Sequence, residues 1–344
     1  MSILDPALTP VATPPPGIQS NFIDPPSLMS AVIVGTIVVQ LSTLPFIFTR
    51  AFVNITTRTV LPEDILSYLA YGAFIAQNTL IIINSTHGMA RHTWDVSLAT
   101  IVPGTRMYNI IFICYTVSGG FAKACVFLQL KRIFTTVLKG LVYWVIVGSL
   151  TVNAIAYTCF LFLYLFTCWP REKIWSPFLP GRCMDSNTLH TAIGGLNTFS
   201  DIEAFLVPIF AIWQMQMELR KKLEVLAVFA VGLFAVATGC VGMYYRVLVL
   251  TGPDVTWSLT QTAIVCMAEL SVVIIVGCCP YISRVIRQLR DKNTSRNNHR
   301  LFASEASIAH APNPRNAPCW KGDIEQGVRA QNKRIVSSPT DGVI

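Results

Sequence analysis

The stretch LVYWVIVGSLTVNAIAYTCFLFLYLF, residues 141–166, is apolar almost from end to end. A helix needs about 20 apolar residues to cross the roughly 30 Å hydrocarbon core of a bilayer. This run exceeds that length, which implies tilt or a water-exposed end. Six more such runs accompany it, at 28–48, 64–83, 107–130, 189–213, 223–250 and 258–279, each flanked by charge, Pro or Gly. The composition agrees: 53% of residues are hydrophobic and only 13% charged, whereas a soluble domain would carry about 25% charge. Strands of a membrane barrel alternate polar and apolar residues over about 10 positions, and these runs do not. The pattern predicts an all-α, polytopic bundle of seven transmembrane helices.

Lys and Arg orient such a bundle. With the N-terminus outside, the inner segments hold Arg50 and Arg58, then Lys131, Arg132 and Lys139, then Arg220, Lys221 and Lys222, and finally the tail from Arg284 onward. The outer segments hold fewer: Arg91 and Arg106, then Arg171, Lys173 and Arg182. The bias predicts N-out and C-in, with the plasma membrane as the expected location. The net charge of +8 reflects that topology, so the lipid bilayer is the implied partner and nucleic acid is not. Residues 1–27 contain no basic residue and no apolar core, and Pro14, Pro15 and Pro16 break them. They are expected to form an extracellular Pro-rich segment, with the first span an uncleaved anchor.

Residues 28–280 form the predicted bundle. After it, Ile282, Val285, Ile286 and Leu289 fall on one helical face, and Arg284, Arg287 and Arg290 fall elsewhere on the wheel. Residues 281–292 therefore predict either a short basic amphipathic helix at the inner leaflet or a plain positive-inside anchor. Residues 293–344, rich in Asn, Ser, Ala and Pro, predict a disordered cytoplasmic tail.

Ten cysteines are present. Most are isolated in apolar runs and read as small buried residues. Cys168 and Cys183 share the loop between spans four and five, which the charge bias places outside, where disulfides persist. Their bridge would pin that loop over the bundle mouth, with Cys114 as a rival partner. Asn84-Ser85-Thr86 is a glycosylation sequon on the outer side, close against the membrane.

Charge inside a span is costly and marks a candidate functional site. Lys123 lies in span three, Asp201 and Glu203 in span five, Glu269 in span seven. At about 1.5 Å per residue, all four sit at similar depth. Asp201 and Glu203 point about 200° apart on one helix, so only one can face Lys123, and Asp201 is favoured. A Lys123–Asp201–Glu269 cluster would be a switch, a proton-linked element or a structural polar lock. Arg246, toward the outer end of span six, is placed to snorkel to water.

Several classes are disfavoured. A retinal pigment needs a Schiff-base lysine, normally in the last span, and Lys123 is the sole lysine within the seven runs. Paired broken helices of a repeat transporter are not evident. No metal, cofactor or nucleophile motif is visible, and an enzyme is not expected.

Other short patterns recur in a set order. They begin with His87-Gly88-Met89-Ala90-Arg91-His92-Thr93-Trp94-Asp95, an outer-loop motif built around His92, Trp94 and Asp95. Tyr108, Lys123 and Lys131-Arg132-Ile133-Phe134 follow, then Cys168, Trp175, Gly181, Cys183 and Asp185. Asn197, Ser200-Asp201-Ile202, Pro208, Trp213 and Lys221-Lys222 come next, then Gly232, Arg246, Glu269 and Pro280. This ordered set, over residues 28–290, resembles the fungal rhodopsin-domain integral membrane proteins, receptor-like proteins of the appressorium-signalling and satratoxin-cluster type. The resemblance implies a rhodopsin-like, G-protein-coupled-receptor-like fold. The seven spans, N-out orientation, outer cysteine pair and basic inner loops then suggest an orphan receptor for a small-molecule ligand or surface cue, with a heterotrimeric G protein or another cytosolic partner at a basic inner face formed by Lys131, Arg132, Arg220, Lys221 and Lys222, although the resemblance does not establish G-protein coupling. The alternative is a small-metabolite transporter or channel that uses the intramembrane cluster. The chain departs from the family pattern at His87 and Glu203, and residues 1–27 carry no eight-cysteine module. Span three exits without an Asp-Arg-Tyr signature, and span seven ends Cys278-Cys279-Pro280-Tyr281 rather than Asn-Pro-x-x-Tyr.

Overall fold

The computed structural model describes residues 9–134, 140–176, 179–213 and 219–309. Within them are seven long helices: α1 (Met29–Thr57), α2 (Pro62–Asn84), α3 (Leu98–Phe134), α4 (Leu141–Leu165), α5 (Ser186–Trp213), α6 (Leu219–Thr251) and α7 (Val255–Ala309). Six of the seven, all but α5, are long and apolar enough to cross a membrane. α5 carries Asn187, His190, Asn197, Asp201 and Glu203, which dilutes its apolar content.

The helix ends follow local chemistry. Pro62 opens α2, where its fixed φ suits the first helical position. Asp64 accepts the Leu61 N–H at 2.8 Å, a capping contact that also sets a carboxylate on the positive end of the helix dipole. α2 ends in a π-turn, Ser85–Met89, that turns through Gly88 at φ 91°. α5 starts after Asp185, whose carboxylate accepts the Asn187 and Thr188 N–H groups. The Thr188 hydroxyl, with those backbone donors, holds the Asp185 carboxyl below the usual carboxylate range despite slight burial.

Between α4 and α5 a two-stranded antiparallel hairpin, β1 (Cys168–Trp169) and β2 (Arg182–Cys183), pairs Cys168 with Cys183. The two cysteines form a disulfide, and Cys114 is free. Residues 9–28 and the α2–α3 connection lie against each other: Val11 donates to Val96 O, Leu28 to Ala90 O and Leu98 to Thr9 O.

The packing is inside-out relative to a soluble protein. Large apolar side chains face outward, including Phe48, Leu41, Phe199, Trp144, Val152 and Ile155, as a lipid-facing surface requires. The interior mixes Phe74, Ile193, Met267 and Leu270 with buried Tyr115, Tyr157, Lys123, Arg50 and Arg246.

Four expectations change. α1 does not stop at residue 48: it continues to Thr57 and carries Arg50 inside the bundle, fully buried. Asn84 lies in the last turn of α2 and is 2% exposed, so its side chain is not presented for glycosylation. Residues 281–292 are not a separate short helix, because α7 runs unbroken through Pro280 to Ala309. That run also makes 293–309 helical, where composition predicted disorder; the segment keeps helix formers in Arg300, Leu301, Ala303, Glu305 and Ala306. The part of α7 beyond Ile286 is a unit of its own. Residues 310–344, the rest of the expected disordered tail, lie outside the described residues, as do Lys139 and the side chains of Arg220, Lys221 and Lys222.

Candidate functional site

Five helices bring charge and hydroxyl groups to one buried network. Lys123 of α3 pairs with Asp201 of α5, and its Nζ also donates to the Asn197 carbonyl at 3.3 Å. Asn197 Nδ2 donates to Glu269 Oε1 of α7 at 2.6 Å, and Tyr157 of α4 donates to Asn197 Oδ1 at 2.7 Å. Glu269 Oε2 meets Arg246 Nη2 of α6 at 3.1 Å and accepts from the Tyr115 hydroxyl at 3.2 Å. Arg246 Nη2 also reaches Tyr115 Oη at 2.9 Å and the Cys266 sulfur at 3.0 Å. Two cations thus face two carboxylates. Their neutrality is what makes burial tolerable, since an unpaired charge in a low-dielectric interior costs several kcal/mol.

Arg246 was expected to reach water and does not. Its side chain is 0% exposed and lies between α5 and α6. Two glycines make that space. A Cβ on Gly194 would sit 2.3 Å from Arg246 Cδ, and one on Gly242 would sit 2.9 Å from Arg246 Nη1. Gly194→Ala should therefore displace the guanidinium and cost about 1–3 kcal/mol. Gly195→Ala, whose Cβ would meet only Met243 at 4.0 Å, should be neutral or slightly stabilising. Thermal unfolding of the two purified variants checks the contrast. Arg246 Nε and Nη1 are buried without a hydrogen-bond partner among the described residues.

A small crevice adjoins the network, lined by Gln77, Tyr108, Phe112, Tyr115, His190 and Cys266, together with Ile111, Leu259 and Ala263. It has room for about one water molecule. His190 stacks on Phe112 at 4.4 Å and meets Tyr115 edge-on at 6.3 Å. His190 Nδ1 and Gln77 Oε1 are buried without partners among the described residues. Tyr115 and Cys266 belong to both crevice and network.

The bundle end away from the hairpin holds a second buried pair. Arg50 Nε donates to Asp64 Oδ1 at 2.8 Å, and both side chains are 0% exposed. Arg50 Nη1 donates to the Gly277 carbonyl at 2.9 Å, joined there by Gln129 Nε2 at 2.7 Å. Tyr281 donates to Asp64 Oδ1 at 2.5 Å, and its ring lies 4.5 Å from the Arg50 guanidinium. Arg132 pairs with Glu63 at 3.0 Å, and Lys131 lies 5.7 Å from the Tyr143 ring.

At the hairpin end, His92 Nδ1 meets Asp254 Oδ2 at 2.5 Å. A carboxylate only accepts, so Nδ1 carries the proton. The imidazole lies between Trp94, 4.7 Å away, and Trp257, 4.0 Å away, with both rings nearly parallel to it. Asp95 accepts the Asn21 N–H at 2.9 Å.

The structure thus brings Lys123, Asp201 and Glu269 into one network, separates Glu203 from it, and pairs Glu203 with Ser149 of α4. It adds Arg246, Asn197, Tyr115 and Tyr157, and it adds the Arg50–Asp64 pair. Arg50 lies two residues past the apolar run that ends at residue 48, and its partner Asp64 stands in the first turn of the next helix. Arg246 was readable as charge, but its direction was not.

A family model for the fungal rhodopsin domain matches residues 48–288. The chain is 27% identical over 288 residues to "Fugralins biosynthesis cluster protein 2" of Gibberella zeae, covering 81% of this chain and 71% of that protein. It is 30% identical over 160 residues to "SAT4 family membrane protein" of Emericella nidulans, covering 46% of this chain and 41% of that protein. It is 29% identical over 133 residues to "Satratoxin biosynthesis SC1 cluster protein 4" of Stachybotrys chartarum, covering 38% of this chain and 46% of that protein. The match runs from the end of α1 to the helical stretch past Glu269 and takes in both buried ion-pair networks, so this chain, a multi-pass membrane protein, belongs to the fungal rhodopsin domain family.

Proposed function

We propose that this protein is a seven-span, receptor-like sensor of a small molecule, with its N-terminus outside, its C-terminus inside and the plasma membrane as its site of action. The carrying observation is that Tyr115 and Cys266 line the crevice and also contact the Arg246–Glu269 pair. Anything that displaces Tyr115 disturbs an ion pair joining α6 to α7. The Cys168–Cys183 disulfide supports an oxidising environment at the hairpin end, and residues 9–28 pack at that same end. Basic Lys131 and Arg132 lie toward the other end, where a heterotrimeric G protein or another cytosolic partner would bind. Two of the relatives are named for biosynthesis clusters, which favours a small metabolite as the ligand.

The test is a thermal-shift screen of small metabolites on the purified protein. A compound at 100 times its Kd should stabilise the wild type by about 2.7 kcal/mol and lose most of that effect against Tyr115→Phe and Gln77→Leu. Stabilisation that survives both changes would place the ligand elsewhere. The unpartnered Arg246 donors favour one other reading, a transporter that uses the network as a polar relay. Under it, Lys123→Ala with Glu269→Ala abolishes uptake or efflux of the stabilising compound in cells. Transport that persists in that double variant, or none in the wild type, removes it.

A further inference from the structure

Residues 89–96 are held across the hairpin end of the bundle by a compact set of contacts. Asp254, in the turn before α7, accepts from His92 Nδ1 at 2.5 Å and from both N and Oγ1 of Thr93 at 3.0 Å. Thr256 donates through N to Thr93 Oγ1 at 3.1 Å and through Oγ1 to the Arg91 carbonyl at 2.7 Å. Thr260 donates to the Met89 carbonyl at 3.3 Å. The strap is therefore tied to the first two turns of α7. Leu259 of those turns lines the crevice, followed by Ala263 and Cys266 further along α7. On one side of the strap Gly88 holds φ 91°, a backbone state that a side chain would disfavour. The His92 latch itself is partly exposed, at 23% for His92 and 17% for Asp254, so it can open without unpacking the core.

The crevice that α7 lines has a definite chemistry. No Asp, Glu, Lys or Arg lines it among the described residues, and its walls mix aromatic and aliphatic side chains. Its unpartnered atoms, Gln77 Oε1 and His190 Nδ1, are polar but belong to an amide and an imidazole. A bare charge entering there would lose its hydration, and the nearest charged groups, Arg246 and Glu269 behind Cys266 and Tyr115, already neutralise each other. An uncharged polar group would satisfy either atom, and since the crevice as it stands holds about one water, anything larger enters only when its walls part.

We propose that the crevice is a binding site for small uncharged polar molecules, and that residues 89–96, latched by His92 and Asp254 between Trp94 and Trp257, are the lid that controls entry. The proposal deepens the receptor reading and rests on it for the meaning of the ligand, but its test needs no signalling partner.

Cys266 supplies the readout, because its buried thiol lines the crevice. The full-length protein in detergent is treated with methyl methanethiosulfonate, a small uncharged reagent. The Cys266 thiolate sulfur attacks the sulfenyl sulfur, a disulfide forms, methanesulfinate leaves with the electron pair, and the thiol proton passes to solvent. Peptide mass spectrometry follows each cysteine separately. His92→Ala and Asp254→Asn should each speed modification of Cys266 by about tenfold, the change expected when roughly 1.4 kcal/mol of latch is lost. Cys125, buried against Arg50 at the other end, should keep its wild-type rate. The trimethylammonium-bearing analogue of the reagent should leave Cys266 unmodified in every variant. Equal Cys266 rates in wild type and both variants would overturn the lid. Acceleration of Cys125 alongside Cys266 would mean general loosening and would also overturn it. Entry of the cationic reagent as fast as the neutral one would overturn the uncharged ligand class. A receptor reading that fails for want of any signalling readout would leave these rates unchanged, so the two failures are distinguishable.

Discussion

Lys123→Met should cost about 3–5 kcal/mol of stability, because removing one partner strands a buried charge. Lys123 is 1% exposed and Asp201 5%. Without the ammonium, Asp201 and Glu269 share one cation, Arg246, and the network goes from neutral to negative. Lys123→Met combined with Asp201→Asn should therefore be more stable than Lys123→Met alone, since the remaining Arg246–Glu269 pair is again neutral. The magnitude separates two accounts of the contact. Hydrogen bonds between membrane helices average about 0.6 kcal/mol in double-mutant cycles. A loss of that size would mean Lys123 serves only as a donor. A loss several-fold larger, largely reversed in the double variant, would mean that charge balance holds α3 to α5. Thermal unfolding of the two single variants and the double variant in detergent gives the cycle, and additive losses would rule out the coupling.

The Lys123–Asp201 contact was legible because it needs only two facts about separate helices, depth and facing. Depth follows from the rise per residue, and facing from the roughly 100° step that sets Asp201 and Glu203 on different sides. Glu203 duly meets Ser149 of α4 rather than Lys123. Arg246 fails that method. Its side chain is long enough to run up to water or sideways, and the choice depends on Gly194 of a different helix. Arg50 fails for another reason. The apolar run ends near residue 48, but the helix does not, because Asp64 on the next helix balances the charge that would otherwise force Arg50 into a loop. The His92–Asp254 latch joins residues 162 positions apart, and no local pattern announces it. The disulfide was legible for the opposite reason, since both cysteines lie in one short loop 15 residues apart.

Arg50→Met should be as damaging as Lys123→Met, about 3–5 kcal/mol, but it should resist rescue. Asp64 does three things. One oxygen takes Arg50 Nε and the Tyr281 hydroxyl, and the other caps the start of α2 through the Leu61 N–H. Asn at position 64 keeps only one acceptor oxygen. It can cap the helix or accept from Tyr281, and not both. Arg50 also satisfies the Gly277 carbonyl, which Gln129 alone would then hold. Arg50→Met with Asp64→Asn should thus recover only about 1 kcal/mol, since the amide keeps either the cap or the Tyr281 contact. Asp201, by contrast, lies mid-helix with no capping role, so its amide leaves less unsatisfied. The two double variants, measured side by side, should differ even though the two single lysine and arginine losses look alike. Equal rescue at both sites would mean that Asp64 acts only as the counter-ion of Arg50. Its contacts to Leu61 and Tyr281 would then add nothing to the closure of α7 against α1 and α2.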